Sequence, residues 1–153
     1  MHAISRRAIA AVLAIAAPAP IFAQDLGNWV VVRRDPISRI VSCSAVYKAN
    51  KNVTLTPTSL VFTPMRIDTV KIVIRIGVAP IIRPVSGMEK KAGAVIVQGI
   101  EFQQVLKASR LAVEAVVAGL PVPTGVWQVD VSDLPTVVAN LAKACAASPP
   151  AAG

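Results

Sequence analysis

Histidine is almost absent from this 153-residue chain: the one present, His2, stands at the second position. Beyond that point the sequence excludes Ser-His-Asp and Cys-His nucleophile systems, histidine metal sites and His-ligated haem. Aromatic residues are only 4% of the chain, too few for a sugar-binding groove or a base-stacking surface. Acidic residues are scarce, 8 against 16 basic ones, for a net charge of +8. Two cysteines exclude a disulfide-dense miniprotein. The apolar content is high at 54%, yet no run of about twenty apolar residues exists to form a transmembrane helix. The density of Val and Ile in turn excludes intrinsic disorder.

The first 23 residues have the order of an export signal. Arg6 and Arg7 supply a positive start, and Ala8 to Ala17 form an apolar stretch too short to span a bilayer. Pro18 and Pro20 interrupt any anchor helix, and Ala23 presents a small residue for cleavage before Gln24. Ala17-Pro18-Ala19 has a better small-x-small shape, but cleavage there would place Pro20 directly after the cut. Ser5-Arg6-Arg7 also resembles a twin-arginine signal, so the export route stays open. The organisation expected is a cleaved signal peptide over 1–23, one exported domain over 24–145 and a disordered tail over 146–153. Removing the leader takes away two basic residues and no acid, and leaves a basic domain without histidine.

In an exported chain, Cys43 and Cys145 read as one disulfide. The loop of about a hundred residues between them is worth about 4–5 kcal/mol in the chain-entropy account. A reactive thiol needs neighbours that lower its pKa. Cys43 lies among Val41, Ser42 and Ser44, and Cys145 among alanines with Lys143 nearby, so the staple is favoured.

Between the cysteines the spacing is mostly that of strands. Trp29 to Val32 is a short buried run before Arg33-Arg34 and the Asp35-Pro36 turn. Ile37 to Tyr47 forms a second strand, Asn50 to Asn52 a turn, and Thr58 to Thr63 a third strand. The clearest is Val70 to Val78, where Val70, Ile72, Ile74, Ile76 and Val78 alternate with Lys71, Val73, Arg75 and Gly77. Ile81 to Val85 follows as a proline-bounded edge segment. A polar turn over Ser86 to Gly93 leads into the strand Ala94 to Val97. Phe102, Val105, Leu106 and Ser109 recur at helical spacing and predict a short helix over about Glu101 to Arg110. Leu111 to Val117 and Val126 to Val131 read as a hairpin. Ser132 or Asp133 caps a last helix with Pro135 in its first turn, and Leu134, Val138, Leu141 and Cys145 fall on one face. The fold expected is α+β: an antiparallel sheet or sandwich with a short helix and a C-terminal helix stapled by one disulfide. A β-sandwich with only a marginal helix is the other arrangement the pattern allows.

The layout of a signal peptide, Trp29-Val30-Val31, Cys43-Ser44-Ala45-Val46 and a terminal segment from Asp133-Leu134-Pro135 to Lys143-Ala144-Cys145 resembles small exported proteobacterial proteins of the invasion-associated locus B family. The middle of this chain lacks the further cysteines of that family. The resemblance implies an exported envelope or periplasmic location and brings no catalytic residue with it.

No metal-ligand cluster, Gly-rich phosphate loop or nucleophile elbow is present, so neither metal nor cofactor is expected. Asp130 and Asp133 are the only acids close enough in sequence to work as a pair. Asp133 reads better as a helix cap, because an acid/base pair needs opposed environments. The basic excess is the one surplus that points to binding: Lys71 and Arg75 share the polar face of the best strand, with Arg66 and Arg83 just outside it. These four are the candidate contacts to an anionic partner (lipid headgroups, envelope polysaccharide or an acidic protein), against the simpler reading of a solvated sheet face. Nucleic acid is not an expected target for an exported domain. The function expected is thus a periplasmic or secreted, non-enzymatic binding or accessory domain. The alternative is a small carboxylate-dependent hydrolase of the envelope.

Protein recovered from the periplasm should have the intact mass of a chain starting at Gln24. A mass matching Met1 to Gly153 would refute the leader.

Overall fold

Alternating apolar residues build two antiparallel sheets, and the computed structural model describes them over residues 23–34 and 42–146. The leader before Ala23, the expected strand residues Ile37 to Val41 and the tail after Ala146 lie outside the described residues; Ala146 itself ends the last helix.

The first sheet is six-stranded and holds β1 (Ala23–Leu26), β2 (Trp29–Arg34), β3 (Ser42–Tyr47), β4 (Val53–Leu55), β5 (Ser59–Phe62) and β8 (Val95–Gln98), in the order β1-β2-β3-β4-β5-β8. Cross-strand partners lie on one face of a sheet, and the register lines up Val31, Ala45, Leu55, Leu60 and Val97 across five strands. All five are essentially inaccessible to solvent. Leu26 pairs with Trp29, so a two-residue turn joins β1 to β2. Gly27 there has φ +60°, the conformation a II′ hairpin turn requires at its first central position.

The second sheet holds β6 (Thr69–Arg75), β7 (Ile81–Pro84), β9 (Arg110–Val117) and β10 (Gly125–Asp130) in the order β10-β9-β6-β7. Its inner stripe runs Trp127, Val113, Ile74 and Ile81. Aromatic side chains join the sheets: the rings of Phe62 and Trp127 lie 5.8 Å apart, and Trp127 Nε1 donates to the Thr63 carbonyl at 3.3 Å. Tyr47, tilted against Trp29 at 5.0 Å, accepts the Asp130 amide at its hydroxyl.

Among the described residues three helices accompany the sheets: α1 (Gly87–Ala92), α2 (Gly99–Val105) and α3 (Leu134–Ala146). The α+β class is the one expected from the sequence. Leu134, Val137 and Leu141 of α3 are buried in the common core, and Cys145 is bonded to Cys43 of β3 with 5.5 Å between the Cα atoms. The staple joins helix to strand as expected.

Local departures have physical causes. The central strand stops at Arg75, leaving Val78 fully exposed, and the register shifts between Thr69 and Lys71. Val70 is the extra residue of this bulge; it turns outward, and Thr69 is buried in its place. From Lys71 to Arg75 the expected register holds, with Ile72 and Ile74 buried and both cations exposed. The segment Ser86 to Gly93 is a helix rather than a polar turn. Ser86 Oγ accepts the Glu89 amide, Glu89 returns a bond to the Ser86 amide, and Gly93 at φ +62° ends the helix. The strand β4 and the hairpin strand β1 had no expected counterpart. The helix α2 starts at Gly99 and ends at Val105, so Ser109 and Arg110 fall outside it.

Gly125 underlies the ring of Trp127: a Cβ there would stand 2.5 Å from Cη2 and 3.0 Å from Cζ3. That ring is held in the core between the sheets and cannot swing aside. Gly125→Ala should therefore destabilise the fold by about 1–3 kcal/mol in urea denaturation, as overpacking does. Gly77→Ala, with nothing within 4 Å of the added carbon, should leave the midpoint unchanged.

Candidate functional site

The four cations singled out in the sequence do not form one patch. Arg83 is the cross-strand partner of Ile72 and so faces inward, opposite to Lys71 and Arg75. Arg66 makes a bidentate pair with Asp68, Nε to Oδ1 at 2.9 Å and Nη2 to Oδ2 at 2.6 Å. These bonds, with the charge of Arg66, hold Asp68 below the usual carboxylate range. Arg75 is paired across the sheet with Glu114 on β9, at 3.1 Å. Lys71 is the one of the four without an ion pair among the described residues.

Arg83 is the centre of the most highly connected polar cluster. Its Nε donates to Glu101 Oε1 at 2.7 Å; Nη1 donates to Glu89 Oε2 at 2.9 Å and to the Pro84 carbonyl at 3.3 Å. Nη2 donates to Glu89 Oε1 at 2.8 Å and to the Ile96 carbonyl at 3.1 Å. All five donors of the guanidinium are thereby used. Glu89, with 1% of its surface exposed, is satisfied on the other side: Oε1 also accepts the Ile96 amide and Oε2 the Ser86 amide, each at 2.9 Å. The Arg83–Glu89 pair thus meets both backbone groups of Ile96 and takes the place of a neighbouring strand along the edge of β8. Desolvation pushes the Glu89 carboxyl upward, but it is outweighed by the hydrogen bonds from Arg83, Ile96 and Ser86 and by the guanidinium charge. Its pKa falls from 4.5 to about 2.

A cavity of about 320 Å³ opens beside this cluster. Met88, Ile96 and Ile100 line it together with Gln98 and Glu101, above Arg83 and Glu89. Glu101 is the one carboxylate of the pair with an oxygen outside the arginine network. The cavity can hold a small molecule or a side chain, but Arg83 has no donor left for an anion within it.

Asp130 and Asp133 are not brought together as a working pair. Asp130 Oδ1 accepts the hydroxyl of Ser132 at 2.6 Å and its amide at 3.0 Å, which holds the carboxyl below its ordinary value. Asp133 precedes α3, and its carbonyl accepts the Val137 amide; its carboxylate instead reaches the Asn28 amide in the β1–β2 turn at 3.3 Å. Among the described residues, no group of three or more His, Cys, Asp or Glu could hold a metal ion. Sequence reading missed the Arg83–Glu89–Glu101 cluster. Its one local signal was Ser86-Gly87-Met88-Glu89, the spacing of a capping box, followed by Gly93.

The depressed pKa of Glu89 fixes a sign. Ionised Glu89 contributes its full stabilisation above about pH 4.5, and the contribution is lost as pH falls towards 2. Glu89→Gln should lower stability at neutral pH by about 3 kcal/mol. It should also flatten the acid limb of a urea-stability profile between these two pH values. A variant whose profile ran parallel to the parent's would show that the pair is not stabilising in its ionised form.

Comparisons of the chain with protein-family models, with curated proteins and with solved structures give no match.

Proposed function

We propose that this chain is an exported, non-enzymatic domain of the bacterial envelope that acts by binding an anionic surface or a partner protein. One observation carries the reading: the carboxylates are consumed internally while cations are left over. Asp25, Asp68, Glu89, Glu101 and Glu114 each pair with a cation. Lys51, Lys71, Lys90, Lys91, Lys107 and Lys143 enter no ion pair among the described residues. The surface field of the folded domain is therefore positive and available to a partner. Export is supported by the Cys43–Cys145 disulfide, which persists in oxidising compartments, and by the leader-like order of residues 1–23. No helix among the described residues is long and apolar enough to cross a membrane.

The competing reading, a carboxylate-dependent hydrolase, would place its acid and base at Glu89 and Glu101 beside the cavity. Glu89 has both oxygens occupied and stays ionised to about pH 2, so it holds no proton to give at neutral pH. Both carboxylates also lean on the same guanidinium, which commits them to holding the fold.

Purified mature domain should co-sediment with isolated envelope membranes at low salt and be released as the screening length shortens. It should show no turnover of ester, glycoside or phosphate substrates. Turnover abolished by Glu101→Gln, without any salt-sensitive sedimentation, would establish the hydrolase reading instead.

A further inference from the structure

We infer that the end of the molecule formed by the Arg66–Thr69 turn and helix α1 docks on the surface of an anionic lipid bilayer. The inference rests on the binding reading above and names the partner. Ile67 stands at the tip of a turn closed by the Thr69 amide on the Arg66 carbonyl at 3.1 Å, and 82% of its surface is exposed. The bulge that follows turns Val70 outward as well, to 45% exposure. Both ends of α1 are tied to the flanks of this segment. The Val85 amide, just before the cap Ser86, donates to the Val70 carbonyl at 3.3 Å. Past the other end, the Gly93 carbonyl accepts the Met65 amide at 2.8 Å.

Lys90 and Lys91, exposed in the last turn of α1, therefore share this end with Lys71 and with the two apolar side chains. None of the three lysines has an ion pair among the described residues. The acids nearby do not oppose them: Asp68 is neutralised by Arg66, and Glu89 is turned inward onto Arg83. A polysaccharide would use the lysines but offers nothing apolar to an isoleucine held out on a turn, and a protein partner would show itself as envelope sedimentation without vesicle binding. An anionic bilayer uses both, because the aliphatic tip enters the headgroup–acyl boundary while the ammonium groups stay among the phosphates.

The test measures binding of the mature domain to vesicles of phosphatidylcholine with and without phosphatidylglycerol, with dextran sulfate and free glycerol phosphate as soluble anions. The parent should bind the phosphatidylglycerol vesicles alone, and free glycerol phosphate should compete poorly. Replacing Lys71, Lys90 and Lys91 by Gln together should weaken binding about a hundredfold, near fivefold for each lysine. Ile67→Ser should weaken it about tenfold and leave the salt dependence unchanged, whereas Lys143→Gln should have no effect. Parent-like melting of every variant checks that the fold is intact. Vesicle binding unmoved by the lysine or the isoleucine changes would overturn the inference. So would equal affinity for dextran sulfate, which would mark a simple polyanion patch. A domain that sediments with envelope membranes but ignores phosphatidylglycerol vesicles would refute the lipid inference and leave the binding reading standing; failure of both measurements would remove both.

Discussion

The guanidinium of Arg83 holds the open side of this fold together. It belongs to β7, the edge strand of the second sheet, and its bonds reach Ile96 on β8, the edge strand of the first. Without it, Glu89 would be a buried anion with no cation to answer it, and the Ile96 carbonyl would lose its donor. A buried ion pair stabilises only when its remaining donors and acceptors are met, and here all five guanidinium donors and both carboxylate oxygens are met. The same bonds fix α1, because the carboxylate that answers Arg83 also completes the helix cap at Ser86. They also occupy the backbone of β8 where another chain would otherwise add a strand.

At β3, the Cys43–Cys145 bond ties down α3, whose buried leucines fill the core between the sheets. The disulfide and the arginine cluster divide the work differently. The disulfide constrains the unfolded chain across 102 positions and acts at any pH where it stays oxidised. The arginine cluster acts in the folded state alone and depends on Glu89 remaining ionised.

Internal pairing also shapes what the surface offers. The chain has half as many acids as bases, and four of the acids, Asp68, Glu89, Glu101 and Glu114, are committed to arginines. Arginine suits that role, since its planar fork meets a carboxylate with two bonds, as in Arg66–Asp68 and Arg83–Glu89. Among the described residues, six lysines and Arg110 are left to carry the uncompensated charge.

The strands with strict alternation were legible because period-two spacing leaves one apolar face, as at Ile72 and Ile74 or along Leu111 to Val117. The C-terminal helix and its staple were legible for the same kind of reason: the proline and the four-three-four spacing act within a few residues, although the Asp133 carboxylate reaches Asn28 rather than capping the helix. The bulge at Val70 was not, since it is set by pairing with Val116 and Val117 in a strand more than forty residues on. Nor was the inward turn of Arg83. Sequence alone groups it with Lys71 and Arg75, and only its pairing opposite Ile72 puts it on the buried face, where a carboxylate must answer it. Local spacing determined most of the strands, the C-terminal helix and where the cysteines point, but not α1, β1 or β4. Tertiary structure decided which charges are spent inside the molecule and which remain, because that depends on partners distant in the chain whose approach no local pattern records.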